Sequence, residues 1–206
     1  MKTNLRRTMA SWMLAVGLML ALSGCLCFPG QTVFFADGAL ESAVRAALDQ
    51  PFGFLCPRDL AKLHELNAEG LGVVDIRGLE YCTGLTSLNL RSNQILSISP
   101  LAALRSLTWL ELGDNVISNI EPLSGLYNLE YLSLYGANND IRDWSPLAAN
   151  VEAGGLGAGD VVTLGVEWTL NSDSTILPEF APYYRVLQDA NVVVVFAQAD
   201  GATARR

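Results

Sequence analysis

Apolar residues recur through the middle of the chain at a spacing that is neither 2 nor 3.6. Segments 63–84, 85–106 and 107–128 align without gaps at a 22-residue period, and a fourth, 129–150, follows with an offset. The shared pattern is LxxLxLxxNxIxxIxPLxxLxx. Such a period predicts a stack of similar coils, each burying its apolar side against its neighbours. Leu85, Leu88 and Leu90, like Leu107, Leu110 and Leu112, predict a short strand whose alternate side chains turn inward. Asn93 and Asn115 fall where the chain leaves that strand. Their amides suit the backbone groups that a buried bend would leave unsatisfied. Ile95, Ile98, Ile117 and Ile120 fill the return path, and Leu101, Leu104, Leu123 and Leu126 close each coil. Pro100, Pro122 and Pro146 keep helix from propagating there.

The departures are local. Leu71 stands at the Asn position of the first coil, which marks that coil as a transition from a cap. In the fourth coil Asn139 and Ile141 arrive two residues late, so an insertion around residues 135–138 is expected to bulge at the strand exit. Trp144 replaces an Ile and Asn150 a closing Leu. Residues 154–160 are glycine-rich but lack GxGxxG spacing and a following Lys, so they read as a connection and not as a phosphate cradle. Residues 161–164 read as a fifth, degenerate strand.

A stack of coils exposes its core at both ends, so caps are expected. Asp37 suits the N-cap of a helix reaching Leu48, with Leu40, Val44, Ala47 and Leu48 on one face. Pro57 suits the first turn of a second short helix through Lys62. Residues 177–189 predict another helix, 192–196 an apolar edge strand, and 199–206 a frayed tail.

On these residues the chain resembles the leucine-rich repeat family. It is most similar to the 22-residue, internalin-like class of bacterial surface proteins, over roughly residues 33–198. The resemblance implies an α/β fold: a leucine-rich-repeat solenoid with a short parallel β-sheet on the concave face, irregular or 3-10 convex segments, and a helical N-terminal cap. The division along the chain is then a leader (1–24), an anchor and short linker (25–36) and a helical cap (37–62). Repeats follow over 63–170, the last a degenerate coil at 151–170. A C-terminal cap (171–198) and the tail (199–206) complete it.

The leader and anchor rest on three features in order. Lys2, Arg6 and Arg7 precede an uncharged stretch, residues 12–22, too short to span a bilayer of ~30 Å as a helix. Leu22-Ser23-Gly24-Cys25 then resembles a bacterial lipobox. The resemblance implies that Cys25 becomes N-terminal and carries acyl chains, which give durable anchoring when several are present. Leu26 after it favours, by analogy, the outer membrane or cell surface within the envelope. An ordinary signal peptide with a coincidental Cys is the other reading. Cys56 and Cys82 allow a disulfide between cap and first repeat. Cys82 also occupies a core position, where a buried free thiol is equally natural.

Composition narrows the chemistry. The formal net charge is −8, and without the three basic leader residues ten basic side chains face 21 acidic ones. That balance argues against nucleic acid as a partner. One His, His64, leaves little material for metal sites or His-based catalysis, and no CxxC occurs. No catalytic residue, metal site or cofactor is assigned, and the protein is read as non-catalytic.

Side chains between the inward leucines face the concave surface and are not dictated by the core. Trp109, Tyr131 and Tyr135 fall on neighbouring strands ~4.8 Å apart. They predict an exposed aromatic cluster flanked by Glu111, Asp114 and Glu130, with Arg91 one coil earlier. Such a face suits a protein or peptide partner with a basic patch. A glycan or cell-wall polymer stacked on the rings is the alternative. Cross-strand aromatic pairs that merely stabilise the sheet are equally consistent with the pattern.

Overall fold

The structure, a computed structural model, describes residues 32–136, 138–166, 169–171, 174–197 and 203–205. The leader and Cys25 lie outside these residues. Four short strands carry the repeat: β1 (Glu65–Asn67), β2 (Ser87–Asn89), β3 (Trp109–Glu111) and β4 (Tyr131–Ser133). They pair in parallel with Leu66, Leu88, Leu110 and Leu132 in register. These leucines and the flanking repeat positions are buried in one continuous core. The return segments of the first three coils are 3-10 turns at Leu79–Tyr81, Ser99–Ala103 and Glu121–Leu123. The sheet continues through β5 (Val161–Gly165) and β6 (Val193–Ala197), also parallel. This is the predicted solenoid.

The asparagines act as a ladder between coils. Asn115 Oδ1 accepts from the Ile95 N–H at 3.0 Å, while its Nδ2 donates to the carbonyls of Leu90, Leu112 and Gly113. Asn93 makes the same set one coil earlier, with the Val73 N–H and the carbonyls of Ala68, Leu90 and Arg91. Asn139, despite its late arrival, takes the third rung. It accepts from the Ile117 N–H and donates to Leu112 and Leu134. Leu71, which has no rung to form, points to solvent.

The coils lengthen beyond β4. Tyr131 pairs with Val161, thirty positions on, where earlier partners are 22 apart. The additional chain winds as a true helix, α3 (Ser145–Glu152), in place of a 3-10 turn. Pro146 occupies its first turn, where a missing N–H costs nothing. Asn150 is fully buried and takes a new role. Its Nδ2 donates to the carbonyls of Leu123 and Leu126, and its Oδ1 accepts from the Leu156 N–H at 2.8 Å. Gly155 is required there, because a Cβ at that position would collide with the Asn150 amide.

At the N-terminal end, α1 (Gly38–Ala47) and α2 (Pro57–Leu60) form the expected cap. Leu40 and Val44 are its buried face, and Leu48 packs partly against the core; Ala47 is exposed, which narrows the expected apolar face. Asp37 caps α1 through Oδ1, which accepts from Ala39 and Leu40. Its Oδ2 accepts from the Val74 N–H and so ties the cap to the first coil. At the other end α4 (Ala181–Asp189) packs against α3 and β6. It is shorter than the helix predicted over 177–189. Phe180, ahead of it, meets Trp144 edge-on at 5.2 Å and Tyr184 at 5.8 Å.

Two expectations are corrected. Residues 203–205 are not tail: β7 (Thr203–Arg205) pairs antiparallel with β6. Strand β6 is therefore not the edge. An open strand edge is a row of unpaired N–H and C=O groups, and the nearest available chain satisfies it. Cys82 is a fully buried free thiol, not bonded to Cys56. Burial pushes its thiol up to about 12, with the nearby Glu80 charge acting in the same direction, so it is held as an unreactive core residue. Cys56 is disulfide-bonded.

Candidate binding surface

The strand positions between the inward leucines form ladders across the concave face. One runs Glu65, Ser87, Trp109, Tyr131, Val161, Val193; the next runs Asn67, Asn89, Glu111, Ser133, Thr163, Val195. The Trp109 and Tyr131 rings stack with centroids 5.3 Å apart and planes 8° from parallel. That separation is close to the ~4.8 Å spacing of neighbouring strands, so the rings stand side by side along the ladder. Both are half-buried. The inner faces cover each other and the ring edges meet solvent. On the other side of Trp109 the ladder continues to the small residue Ser87.

Glu111 is not a flanking surface group. It is 7% exposed, beneath the stack, with Oε1 accepting from the Gly113 N–H at 3.3 Å and Oε2 from the Tyr131 hydroxyl at 3.4 Å. Burial raises its pKa. The Ser133 hydroxyl, the Gly113 N–H and the Arg91 charge oppose this without cancelling it. Ser133 is fully buried and its Oγ has no well-formed hydrogen bond, although it adjoins the Glu111 carboxylate closely enough to favour the charged form. Tyr131 is raised too, by burial and by the charge of Glu111.

Tyr135 also departs from expectation. It is 9% exposed and lies under the Arg91 guanidinium, whose carbon is 4.9 Å from the ring centroid. Arg91 pairs in turn with Asp114, Nε to Oδ2 at 3.2 Å. Asp114 itself takes a left-handed backbone, φ 54°. Gly136 (φ 135°) faces it at van der Waals limit, where a Cβ would lie 2.5 Å from the Asp114 nitrogen. The aromatic cluster thus divides into an accessible pair, Trp109 and Tyr131, and a closed unit of Tyr135, Arg91 and Asp114. Burial follows because other coils cover these side chains, Glu111 under Tyr131 of the next coil and Tyr135 under Arg91 of two coils earlier, which a position-by-position reading of one coil misses. The glycines at 113 and 136 were the available signal, since both make room for the Tyr135 neighbourhood. Glu130 is exposed beside the stack. His64 is exposed, its Nδ1 2.6 Å from the Lys62 carbonyl. Among the described residues no group of three or more His, Cys, Asp or Glu side chains could hold a metal ion.

Residues 105–149 match the family model for leucine-rich repeats in two copies. None of the curated proteins matches this sequence. Among solved structures, the chain is similar to the internalin inlF of Listeria monocytogenes, with 26% identity and a TM-score of 0.54 over 80% of this chain and 56% of that one. It is also similar to the internalin C2 of Listeria monocytogenes, with 25% identity and a TM-score of 0.61 over 84% of this chain and 70% of that one. The chain therefore spans little more than half the length of the first. Leucine-rich repeats of this kind serve protein interaction and are typically non-enzymatic. The parallel ladder and the asparagine rungs give the chain a leucine-rich-repeat solenoid fold similar to that of these internalins.

Proposed function

We propose that the protein is a non-catalytic, envelope-anchored lipoprotein of the cell surface or outer membrane, and that its concave face binds a protein or peptide partner. The observation that carries the binding reading is the Trp109–Tyr131 stack, built at positions the core does not dictate and left accessible at its edges. A buried carboxylate beneath it and Glu65 and Glu130 beside it make the surface around the rings acidic. The partner segment is accordingly basic, and a planar cation suits the Trp109 ring on the side of Ser87. Arg91 does not neutralise this surface, because Asp114 and the Tyr135 ring already engage it. Anchoring rests on Cys25 within its lipobox-like context.

A glycan partner is the second reading. Sugar rings stack on open aromatic faces, and here the two inner faces are occupied by each other. That halves the ring surface on which a sugar could stack, so the peptide reading is favoured. The test compares wild-type full-length protein with a Trp109→Ala, Tyr131→Ala double variant, both confirmed folded by circular dichroism. Each serves as bait for proteins of the cell surface and for a panel of wall glycans at low and moderate salt. The expected result is a protein retained by wild type, weakened by salt and lost with the variant. Retention of glycans alone, lost with the variant, transfers the site to the second reading. Equal retention by both proteins removes the concave stack from function.

A further inference from the structure

The N-terminal cap carries a feature that recognition on the concave face does not use. Phe34, Phe52 and Phe54 are 81%, 85% and 69% exposed, whereas Phe35, Phe180 and Phe196 are buried. Exposed apolar groups gathered at one place mark a contact surface. The Val33 N–H donates to the Leu55 carbonyl at 2.9 Å, and Val33 and Leu55 turn inward. Phe34 and Phe54, each one residue along, therefore turn outward on the same side of this paired stretch. Phe52 follows two residues back on the same loop. The loop is held in place: Arg45 donates to the carbonyls of Gln50 and Gly53, and the Gln50 side chain donates to the Phe54 carbonyl at 3.0 Å. The rings are thus presented by a braced loop, next to the disulfide-bonded Cys56.

Covalent bookkeeping says what covers them. The chain has four cysteines, Cys82 is free and Cys56 is disulfide-bonded, which leaves Cys25 and Cys27 as the candidate partners within the sequence. This inference rests on the reading of Cys25 as the lipid-bearing residue. With Cys25 acylated, the partner is Cys27. The acyl chains then begin two residues, at most about 7 Å of extended chain, from a bond fixed beside Leu55 and Phe54. We propose that the cap seats on the phospholipid bilayer, with Phe34, Phe52 and Phe54 in the membrane interface and a Cys27–Cys56 disulfide tying the lipid anchor to the same end of the solenoid. The coils then rise from the membrane one strand spacing at a time. β3 and β4 stand two and three spacings, about 10–15 Å, beyond β1, which keeps the Trp109–Tyr131 stack clear of the lipid.

The test uses the full-length lipidated protein in phosphatidylcholine vesicles whose acyl chains carry bromine, which quenches nearby indoles. Phe52→Trp places a reporter in the patch. Leu96→Trp, at a position 62% exposed on the second coil, is the control. The expected result is quenching of the added Phe52→Trp emission by about half or more, with the control unchanged, as an interface depth of about 5–10 Å requires. Equal quenching of the two variants, with the protein still floating with vesicles, overturns the seating of the cap and leaves the anchor intact. So does a blue-shifted, unquenched emission that grows with protein density, which would assign the patch to a second copy of the chain. Failure of wild type to float any better than Cys25→Ala overturns the anchor, and this inference with it. Non-reducing peptide mapping is expected to find Cys27 joined to Cys56; Cys25 joined to Cys56 refutes both.

Discussion

The two regular coils at 85–128 and the coils that follow obey one rule by different means. In the regular part the buried backbone groups that the ladder leaves open at the strand exit are met by an asparagine at the same register, and each rung shares a carbonyl with the next: Leu90 receives both Asn93 and Asn115. Beyond β4 the coils are longer, and the same demand is met irregularly. Asn139 reaches its rung only after an insertion, and Asn150 serves the carbonyls of Leu123 and Leu126 from a site where earlier coils place leucine. The difference teaches that the repeat is a set of hydrogen-bonding obligations more than a string of residue types. Where the geometry changes, the polar residue moves and the obligation stays.

The largest effect is expected from breaking the regular side. Asn115→Ala leaves the Ile95 N–H without its acceptor, removes three donated bonds and opens a small cavity between two coils. An unsatisfied buried donor alone costs about 1–3 kcal/mol, so the total is expected at about 3–4 kcal/mol. Denaturant unfolding followed by circular dichroism measures it. A loss below about 1 kcal/mol would mean that water replaces the amide and that the ladder is dispensable.

Asn150→Leu tests the irregular side, because it restores the leucine of the repeat pattern. By pattern alone it should stabilise. By the hydrogen bonds it should destabilise, by about 2 kcal/mol: the Leu156 N–H loses its acceptor, although Leu123 and Leu126 keep backbone donors. The added bulk also meets Gly155 at close range. Unfolding compared with Asn115→Ala on the same scale decides it, and a more stable Asn150→Leu variant would make the residue-type rule the better one.

The inward leucines, the asparagine rungs, the 3-10 return path and the N-cap of α1 were all legible, because each is set by one coil and its period. What was not legible depends on the next coil or on distant chain. Tyr135 and Glu111 read as surface residues because their covers, Arg91 two coils earlier and the Tyr131 ring one coil later, belong to other coils. Asn150 read as a lost leucine because its partners lie 24 and 27 residues back. The pairing of Cys56 had no local signal, since a core position suits a thiol as well as a half-cystine. The Trp109–Tyr131 stack was legible as register alone, because identical spacing places both on one ladder.

Glu111 is the place where the concave face and the core make opposite demands, and the smallest predicted effect separates them. Its pKa in the folded protein lies above the ordinary 4.5, with burial the leading cause. The native state thus holds that proton more tightly than the unfolded chain. Its contribution to stability is most favourable below the ordinary value and declines as pH rises through the folded value. Above that window the buried charge is a net cost to folding. Glu111→Gln keeps the shape and an oxygen for the Gly113 N–H but removes the charge. It is expected to match wild type at pH 4 and to be modestly more stable than wild type at pH 7, the smallest of these effects. The same variant should bind a basic partner more weakly, with a shallower salt dependence, because the field beneath the Trp109–Tyr131 stack is gone. Denaturation at the two pH values and capture at two salt concentrations read both effects. A variant less stable than wild type at pH 7 would show that the Gly113 and Tyr131 contacts outweigh burial. A variant with unchanged capture would place the carboxylate in the architecture of the coil and not in recognition.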